Sequence, residues 1–162
     1  MKKKTNTLNI FLNTILVGKL TKTSNGEISF NYDNDWIVNG FEISRSLPLQ
    51  EQAYRGEVVS RYFDNLLPDN EEIKALVATK FGAESTRSFD LLTAIGRDCV
   101  GALSFLPEGL EHPLDFELSY SPISDMEIGR RLKSLGSTSP LGMKEGDFRI
   151  SIAGAQEKTA FL

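Results

Sequence analysis

Cysteine and histidine, the residues most often used in metal and thiol chemistry, are almost absent from this sequence. It has one of each in 162 residues, Cys99 and His112. A single cysteine excludes an internal disulfide and fits a reducing compartment, and the two residues form no cluster with metal-ligand spacing. A catalytic Cys99–His112 pair would lack a third group to orient it. We therefore predict no metal site, and we interpret Cys99 as a small core residue.

The sequence also lacks an excess of positive charge and a long apolar run. Its net charge is −4 and its isoelectric point is about 5.1, so it has no general attraction to nucleic acids or to anionic membranes. Lys2, Lys3 and Lys4 resemble the start of a signal peptide, but Asn9 and Asn13 interrupt the apolar stretch that follows. No stretch is long and apolar enough to span a bilayer. We predict a cytoplasmic protein without direct nucleic-acid binding and without membrane contact.

The first part of the chain has the alternating pattern of β-strands. Apolar and polar residues alternate in short runs over 7–20 and again over 28–32. Asn25-Gly26 lies between these runs and favours a tight hairpin turn. Trp36–Val38 adds a further apolar stretch, and Trp36 is either a core residue or an exposed contact residue. The pattern predicts a small, mostly antiparallel sheet.

Helical spacing of apolar residues replaces the alternation from Glu57 onward. The first helix is predicted over 57–66, before a proline. Asn70 is a suitable N-cap for a second helix that ends at Gly82. Ser88 is a suitable N-cap for a third helix that ends at Gly96. Helices that follow a small sheet predict an α+β fold with the helices packed on the sheet.

The later part of the chain predicts two further elements and a domain boundary. A strand over 100–106 returns to the sheet, and Ser124 with Glu127 forms a capping box for a helix that ends at Leu135. The passage between them is acidic and rich in proline and glycine, as linkers are. The predicted units are a domain over 1–107, a linker over 108–123 and the beginning of an incomplete second domain over 124–162.

The final stretch, 147–162, predicts a strand, a tight loop and the start of another strand. Small residues at Ala153-Gly154-Ala155 leave backbone N–H groups open to an approaching anion. These residues alone leave both an ordinary hairpin turn and a nucleotide-binding loop open. The second strand has only begun at Thr159, so we expect this unit to be interrupted.

Four longer segments carry a more specific pattern. They are SRSLPLQ at 44–50, YFDNLLPDN at 62–70, FDLLTAIGRDCVGALSFLPE at 89–108 and PLGMKEGDFRISIAGAQEKTA at 140–160. In this order they resemble the front portion of the HipA family, bacterial serine/threonine kinase toxins that act with a DNA-binding antitoxin, HipB. The resemblance implies a regulatory N-terminal subdomain followed by the first hairpin of a kinase-like N-lobe. It also implies that the complete kinase phosphorylates a protein such as an aminoacyl-tRNA synthetase and arrests growth.

The same resemblance assigns roles to the final hairpin. Ser151 matches the family's autophosphorylation site. The residues that match the family's ATP-covering loop are Ile152, Ala153, Gly154, Ala155, Gln156, Glu157 and Lys158. Full-length members use ATP and Mg²⁺, but nothing in 1–162 resembles their catalytic aspartate and asparagine or their metal-binding aspartate. We therefore expect this chain alone to contain no catalytic residue, to bind no cofactor tightly and to transfer no phosphate.

Two functions remain open at this point. In the first, the chain is the N-terminal part of a HipA-like kinase toxin whose complete form binds a HipB-like antitoxin. In the alternative, it is a stand-alone HipS-like module that binds and inhibits a separate HipT-like kinase. HipS proteins resemble the region equivalent to about 1–107, whereas this chain continues through the ATP-covering loop. That continuation favours the first function.

Overall fold

The computed structural model describes residues 6–98, 102–110 and 122–135, and a five-stranded antiparallel sheet forms the centre of this part. The strands are β1 (Thr7–Leu12), β2 (Ile15–Lys22), β3 (Ile28–Tyr32), β4 (Tyr54–Arg55) and β5 (Leu103–Pro107). Their spatial order is β4-β3-β2-β1-β5. The last of these strands therefore pairs with the first, which confirms the predicted return of the chain to the sheet.

The alternation of the strands places their apolar side chains on one face. Leu8 lies opposite Leu20, Leu20 lies opposite Phe30, and Ile10 lies opposite Phe105. All five side chains are at most 1% exposed. Complete burial of each such side chain contributes roughly 1.5–3 kcal/mol to folding. The face they form is the base of the core.

Two of the helices cover this apolar face of the sheet, as an α+β fold requires. The helices are α1 (Asn34–Asn39), α2 (Glu57–Asp64), α3 (Glu71–Phe81), α4 (Ser88–Ile95) and α5 (Asp125–Leu135), with a 3₁₀ turn at Gly96–Asp98. The ring centroid of Phe63 in α2 lies 5.8 Å from those of Phe30 and Phe105. Phe89 and Leu92 of α4 are buried in the same core. The predicted fold class is confirmed.

Several predicted turns and caps are confirmed. Gly26 has a φ of +87° in the turn between β2 and β3. The Oδ1 of Asn70 accepts hydrogen bonds from two N–H groups in the first turn of α3, at 2.8 and 3.2 Å. Gly82 ends that helix with a φ of +67°, a left-handed conformation that favours glycine. The Oγ of Ser124 accepts a hydrogen bond from the N–H of Glu127 at 3.3 Å, at the start of α5.

The assignment of Trp36–Val38 to the sheet is wrong, because this stretch lies in α1. Asp33 caps the helix by accepting a hydrogen bond from the N–H of Asp35 at 3.0 Å. Within the helix, Trp36 turns into the core and is 5% exposed, whereas Val38 is 80% exposed. The core position of Trp36 was one of the two alternatives left open. Three consecutive apolar residues were too short a run for their spacing to distinguish a strand from a helical turn.

Two predicted helix boundaries are also wrong by small amounts. The helix α2 ends at Asp64 rather than Leu66, because the next turn is tighter: the N–H of Leu67 donates to the carbonyl oxygen of Asp64 at 3.0 Å. The N-cap of α4 is Arg87 rather than Ser88. The Arg87 carbonyl oxygen accepts the N–H of Leu91 at 3.0 Å, so the helix begins one residue earlier than expected.

The predicted domain boundaries remain predictions. Residues 111–121 and 136–162, which contain most of the predicted linker and the final hairpin, lie outside the described residues. The strand predicted over 100–106 is described from Leu103 onward, and the helix predicted after Ser124 is described over Asp125–Leu135. None of the helices described is both long and apolar enough to cross a membrane.

Candidate interaction surface

The predicted ATP-covering loop lies outside the part of the chain that the structure describes. This holds for Ser151 and for the loop residues 152–158, as well as for Cys99 and His112. Their assignments therefore stay predictions. Among the described residues, no group of three or more His, Cys, Asp or Glu side chains is arranged to hold a metal ion.

The segment 40–53, between α1 and β4, contains the SRSLPLQ motif and follows an irregular path that tyrosine hydroxyls fix. The hydroxyl of Tyr32 donates to the carbonyl oxygen of Leu47 at 2.5 Å and accepts from the N–H of Ile43 at 3.1 Å. The hydroxyl of Tyr62 donates to the carbonyl oxygen of Ile43 at 3.4 Å. Leu47 is completely buried. The core therefore holds the middle of this segment in one conformation.

Burial changes the acidity of the tyrosines that hold this segment. Burial raises the pKa of Tyr32 above its usual value of 10.0, and its hydrogen bond from the Ile43 N–H opposes the shift. Burial also raises the pKa of Tyr54, whose hydroxyl donates to the carbonyl oxygen of Pro48 at 2.5 Å. Both hydroxyls keep their protons, and hence their role as donors, throughout the neutral pH range.

Val38, in the last turn of α1, and Phe41, near the beginning of this segment, are both exposed apolar residues. Val38 is 80% exposed and Phe41 is 57% exposed. The Phe41 ring lies 5.4 Å from the buried ring of Trp36, whose Nε1–H donates to the Phe41 carbonyl oxygen at 2.9 Å. Gly40, between Trp36 and Phe41 in the chain, allows the backbone to approach the Trp36 ring closely, since a Cβ at this position would lie 2.5 Å from that ring. Phe41 is therefore exposed but held by contacts to its ring and to its backbone, whereas Val38 projects from the last turn of α1.

Charged side chains flank this exposed pair. Asp35 and Glu42 are both exposed. Asp35 lies one helical turn before Val38, and Glu42 directly follows Phe41 in the chain. Glu42 is close enough to Tyr32 for its negative charge to raise the pKa of that hydroxyl slightly. We call Val38, Phe41 and these two carboxylates the Val38–Phe41 surface. Two exposed apolar residues and two exposed carboxylates thus lie close together in the chain here.

A buried ion pair on the other side of the fold joins β2 to α4. The Nζ of Lys22 contacts Oδ1 of Asp90, and the two side chains are only 12% and 9% exposed. The Nζ also lies 4.9 Å from the ring centroid of Phe89 and 3.7 Å from Oε2 of Glu84. Oδ2 of Asp90 accepts a hydrogen bond from Ser85 at 2.6 Å. This network fixes the end of the β2–β3 hairpin to the first turn of α4.

The sheet face that is not covered by the core carries a shallow polar depression of about 310 Å³. Lys19, Thr21, Asn31 and Asp33 contribute to its lining. The Nζ of Lys19 is already paired with Glu108 at 2.9 Å, with both side chains about half exposed. Since the one lysine of this lining is half exposed and already paired, we assign no cofactor to this depression.

Together, the buried core and the exposed Val38 and Phe41 define an α+β domain with apolar side chains exposed at the end of α1. Comparison with known families then identifies the group. Residues 8–106 match the HipA N-terminal domain, and the chain belongs to this family. The match contains three of the four segments on which the resemblance to HipA was based, apart from the last two residues of the third.

Individual relatives agree with this assignment. The chain is 31% identical over 156 residues to the serine/threonine-protein kinase toxin HipA of Shewanella oneidensis, covering 96% of this chain and 35% of the relative. It is 31% identical over 161 residues to the putative kinase Y4mE of Sinorhizobium fredii, covering 96% of this chain and 38% of the relative. The chain therefore spans slightly more than a third of the length of these relatives.

A solved structure gives the same result for the fold. The chain resembles one from the toxin–antitoxin complex of Shewanella oneidensis HipA with HipB and its operator DNA. The TM-score is 0.60 and the sequence identity is 29%, with 91% of this chain and 33% of the other chain covered. The HipA-type N-terminal fold is thus supported by both sequence and structure.

Proposed function

We propose that this chain is the N-terminal part of a HipA-like serine/threonine kinase toxin from a type II toxin–antitoxin module. The observation that carries the proposal is that the match covers nearly all of this chain but only a minor part of its relative. Nearly the whole chain, 96%, matches the toxin HipA of Shewanella oneidensis, but it matches only 35% of that toxin. The catalytic lobe then belongs to the part of such toxins that this chain does not match, and 1–162 alone transfers no phosphate.

In this proposal the chain contributes regulation rather than chemistry. Ser151 is the autophosphorylation site, and residues 152–158 cover the phosphates of ATP, whose Mg²⁺ is held by the catalytic lobe. A phosphoserine adds about −1.5 to −2 charges. Next to bound phosphates this charge would repel them and displace the loop, so that phosphorylation of Ser151 switches the kinase off.

The proposed partner of the complete toxin is a HipB-like DNA-binding antitoxin. The solved relative is a complex of HipA with HipB and operator DNA. The chain has a net charge of −4, so the antitoxin rather than this chain supplies the contacts to DNA. A toxin that is bound to an antitoxin on DNA acts in the cytoplasm, which is the proposed location.

Phosphate incorporation tests this function. The native polypeptide that carries residues 1–162 should label itself with the γ-phosphate of ATP, and mass spectrometry should place the phosphate on Ser151. The Ser151→Ala variant should lose this label, and a Ser137→Ala variant provides a matched control with an unchanged label. Isolated 1–162 should show no label above background. Efficient phosphate transfer by isolated 1–162 would contradict the proposal.

The second candidate function is a HipS-like module that binds and inhibits a separate HipT-like kinase. One observation favours it: the family match over 8–106 coincides with a sheet whose last strand, β5, pairs with its first strand, β1. Such a domain has the core it needs to act as a separate protein. Co-purification of an 18.0 kDa chain with a separate kinase, and inhibition of that kinase, would establish this function in place of the first.

A further inference from the structure

The sequence contains two Asn-Gly pairs, Asn25-Gly26 and Asn39-Gly40, and asparagine is one of the thermally labile residues. An asparagine that precedes glycine is especially labile, because glycine has no side chain to shield its backbone nitrogen from the asparagine amide. Both asparagines are exposed. The two pairs share the same chemistry but have different surroundings, so the fold decides which of them reacts.

The turn around Asn25 brings together the groups that favour attack on its side chain. The hydroxyl of Thr23 donates a hydrogen bond to Oδ1 of Asn25, where negative charge develops when a nucleophile attacks Cγ. The guanidinium of Arg87 lies against Gly26, since a Cβ on that glycine would be 2.5 Å from Nη1. A cation beside Gly26 favours loss of the proton from its nitrogen. The Gly26 N–H donates to the Thr23 carbonyl oxygen at 3.0 Å, and such a bond in an exposed turn opens at low cost.

The helix α1 holds the second pair in an arrangement that opposes the same reaction. Asn39 is the last residue of α1, and its Nδ2 donates to the carbonyl oxygen of Asp35 at 3.2 Å. The N–H of Gly40 donates to the carbonyl oxygen of Trp36, which is buried, at 2.7 Å. Attack by the Gly40 nitrogen on the Asn39 side chain therefore requires the end of the helix to open and both hydrogen bonds to break.

We propose that Asn25 deamidates spontaneously in the folded chain and that Thr23 and Arg87 promote the attack. The nitrogen of Gly26 forms a bond to Cγ of Asn25, the bond from Cγ to Nδ2 breaks, and ammonia leaves with the proton of the Gly26 nitrogen. The product is a cyclic succinimide, and one water molecule opens it at either of its two carbonyl groups. The position then carries an aspartate or an isoaspartate, and either one makes the net charge of −4 more negative by one.

The isoaspartate product changes the backbone of the turn as well as its charge. It places one additional carbon atom in the main chain of a turn that is closed by a hydrogen bond from the Thr23 N–H to the Glu27 carbonyl oxygen at 2.9 Å. Lys22, whose ion pair fixes this end of the hairpin to α4, directly precedes the turn. The isoaspartate form should therefore have a lower melting temperature than the freshly purified chain.

Peptide mapping by mass spectrometry of the 162-residue chain tests the proposal. One sample is kept folded at mildly alkaline pH, and a second is kept at the same pH in guanidinium chloride. In the folded sample, Asn25 should react about tenfold or more faster than Asn39, since about 1.4 kcal/mol of additional opening cost slows a reaction tenfold. In the denaturant the two sites should react at comparable rates. Equal rates in the folded sample, a faster reaction at Asn39, or an unchanged Asn25 would overturn the proposal.

Substitution of an arginine tests the part of the proposal that depends on the fold. Arg87→Gln removes the cation beside Gly26, so it should slow deamidation at Asn25 severalfold in the folded chain and leave the rate in guanidinium chloride unchanged. Arg45→Gln makes the same change of charge at another exposed arginine and is the matched control. It should leave the rate at Asn25 unchanged in both samples. Equal rates at Asn25 in the two folded variants would overturn the assignment of Arg87.

Discussion

Replacing Lys22 with methionine should destabilise this fold by about 3 kcal/mol, because it leaves a buried carboxylate without its cation. Methionine keeps most of the length of the lysine stem, so the substitution removes the charge and leaves only a small void. Asp90 is 9% exposed at its side chain and would keep only the hydrogen bond from Ser85, at 2.6 Å. Glu84 loses little, because its side chain is 53% exposed and 3.7 Å from the lysine. Removal of one partner from a buried pair typically costs about 3–5 kcal/mol, and the remaining hydrogen bond favours the lower end.

The same strand provides a matched control. Lys19 is also on β2, and its ion pair with Glu108 has side chains that are 47% and 54% exposed. Lys19→Met should therefore cost less than about 1 kcal/mol, since solvent screens exposed pairs. A double variant, Lys22→Met with Asp90→Leu, should recover part of the lost stability because no buried charge remains.

Urea unfolding measures these differences in the isolated chain. The single tryptophan, Trp36, is 5% exposed and should change its fluorescence on unfolding. The urea midpoint should fall much further for Lys22→Met than for Lys19→Met. Equal midpoints for the two variants would refute the conclusion that the contact between β2 and α4 is a buried ion pair that stabilises the fold.

Three further predictions concern a cap, two glycines and a tyrosine. Asn70→Ala should lower the free energy of unfolding by about 1 kcal/mol in urea, since two N–H groups of α3 lose their acceptor; no change would contradict the cap. Gly18→Ala should destabilise the fold by about 3 kcal/mol or more in thermal unfolding, because a Cβ would lie 2.1 Å from the Asn31 carbonyl oxygen. Gly129→Ala should instead be neutral or stabilising in the same assay, since nothing lies within 4 Å of its Cβ position, and equal losses at both glycines would contradict the close approach. Burial raises the pKa of Tyr32 in the folded chain above 10.0, so the unfolded chain loses this proton first and stability should fall as the pH rises above 10.0. Tyr32→Phe should reduce this dependence in urea unfolding at alkaline pH, and an identical pH profile would contradict the assignment.

Local sequence signals were sufficient for most of the elements. The asparagine cap at Asn70 and the left-handed Gly82 act on their own helix, so their positions are confirmed to the residue. The alternation over β1 and β3 likewise identifies which side chains face the core, because a strand has a strict period of two. These features depend only on neighbouring residues, which are visible in the sequence.

The features that the sequence did not reveal depend on contacts between distant residues. Lys22 and Asp90 are 68 positions apart, and no local pattern links a lysine at the end of a strand to an aspartate in a helix. The same is true of the tyrosine hydroxyls that fix 40–53, since Tyr62 reaches a carbonyl oxygen 19 positions away. The Val38–Phe41 surface was missed for a related reason: an apolar triplet was assigned to the sheet, whereas the cap at Asp33 turns it into a helix.

The most direct test of the proposed function is the mass of the native polypeptide and of its complexes, measured by native mass spectrometry on protein from the source cells. We predict a polypeptide of more than twice 18.0 kDa, because residues 1–162 match little more than a third of a HipA toxin. A polypeptide of 18.0 kDa bound to a separate kinase would establish the HipS-like function instead. A polypeptide of 18.0 kDa with no kinase domain attached or bound would contradict both.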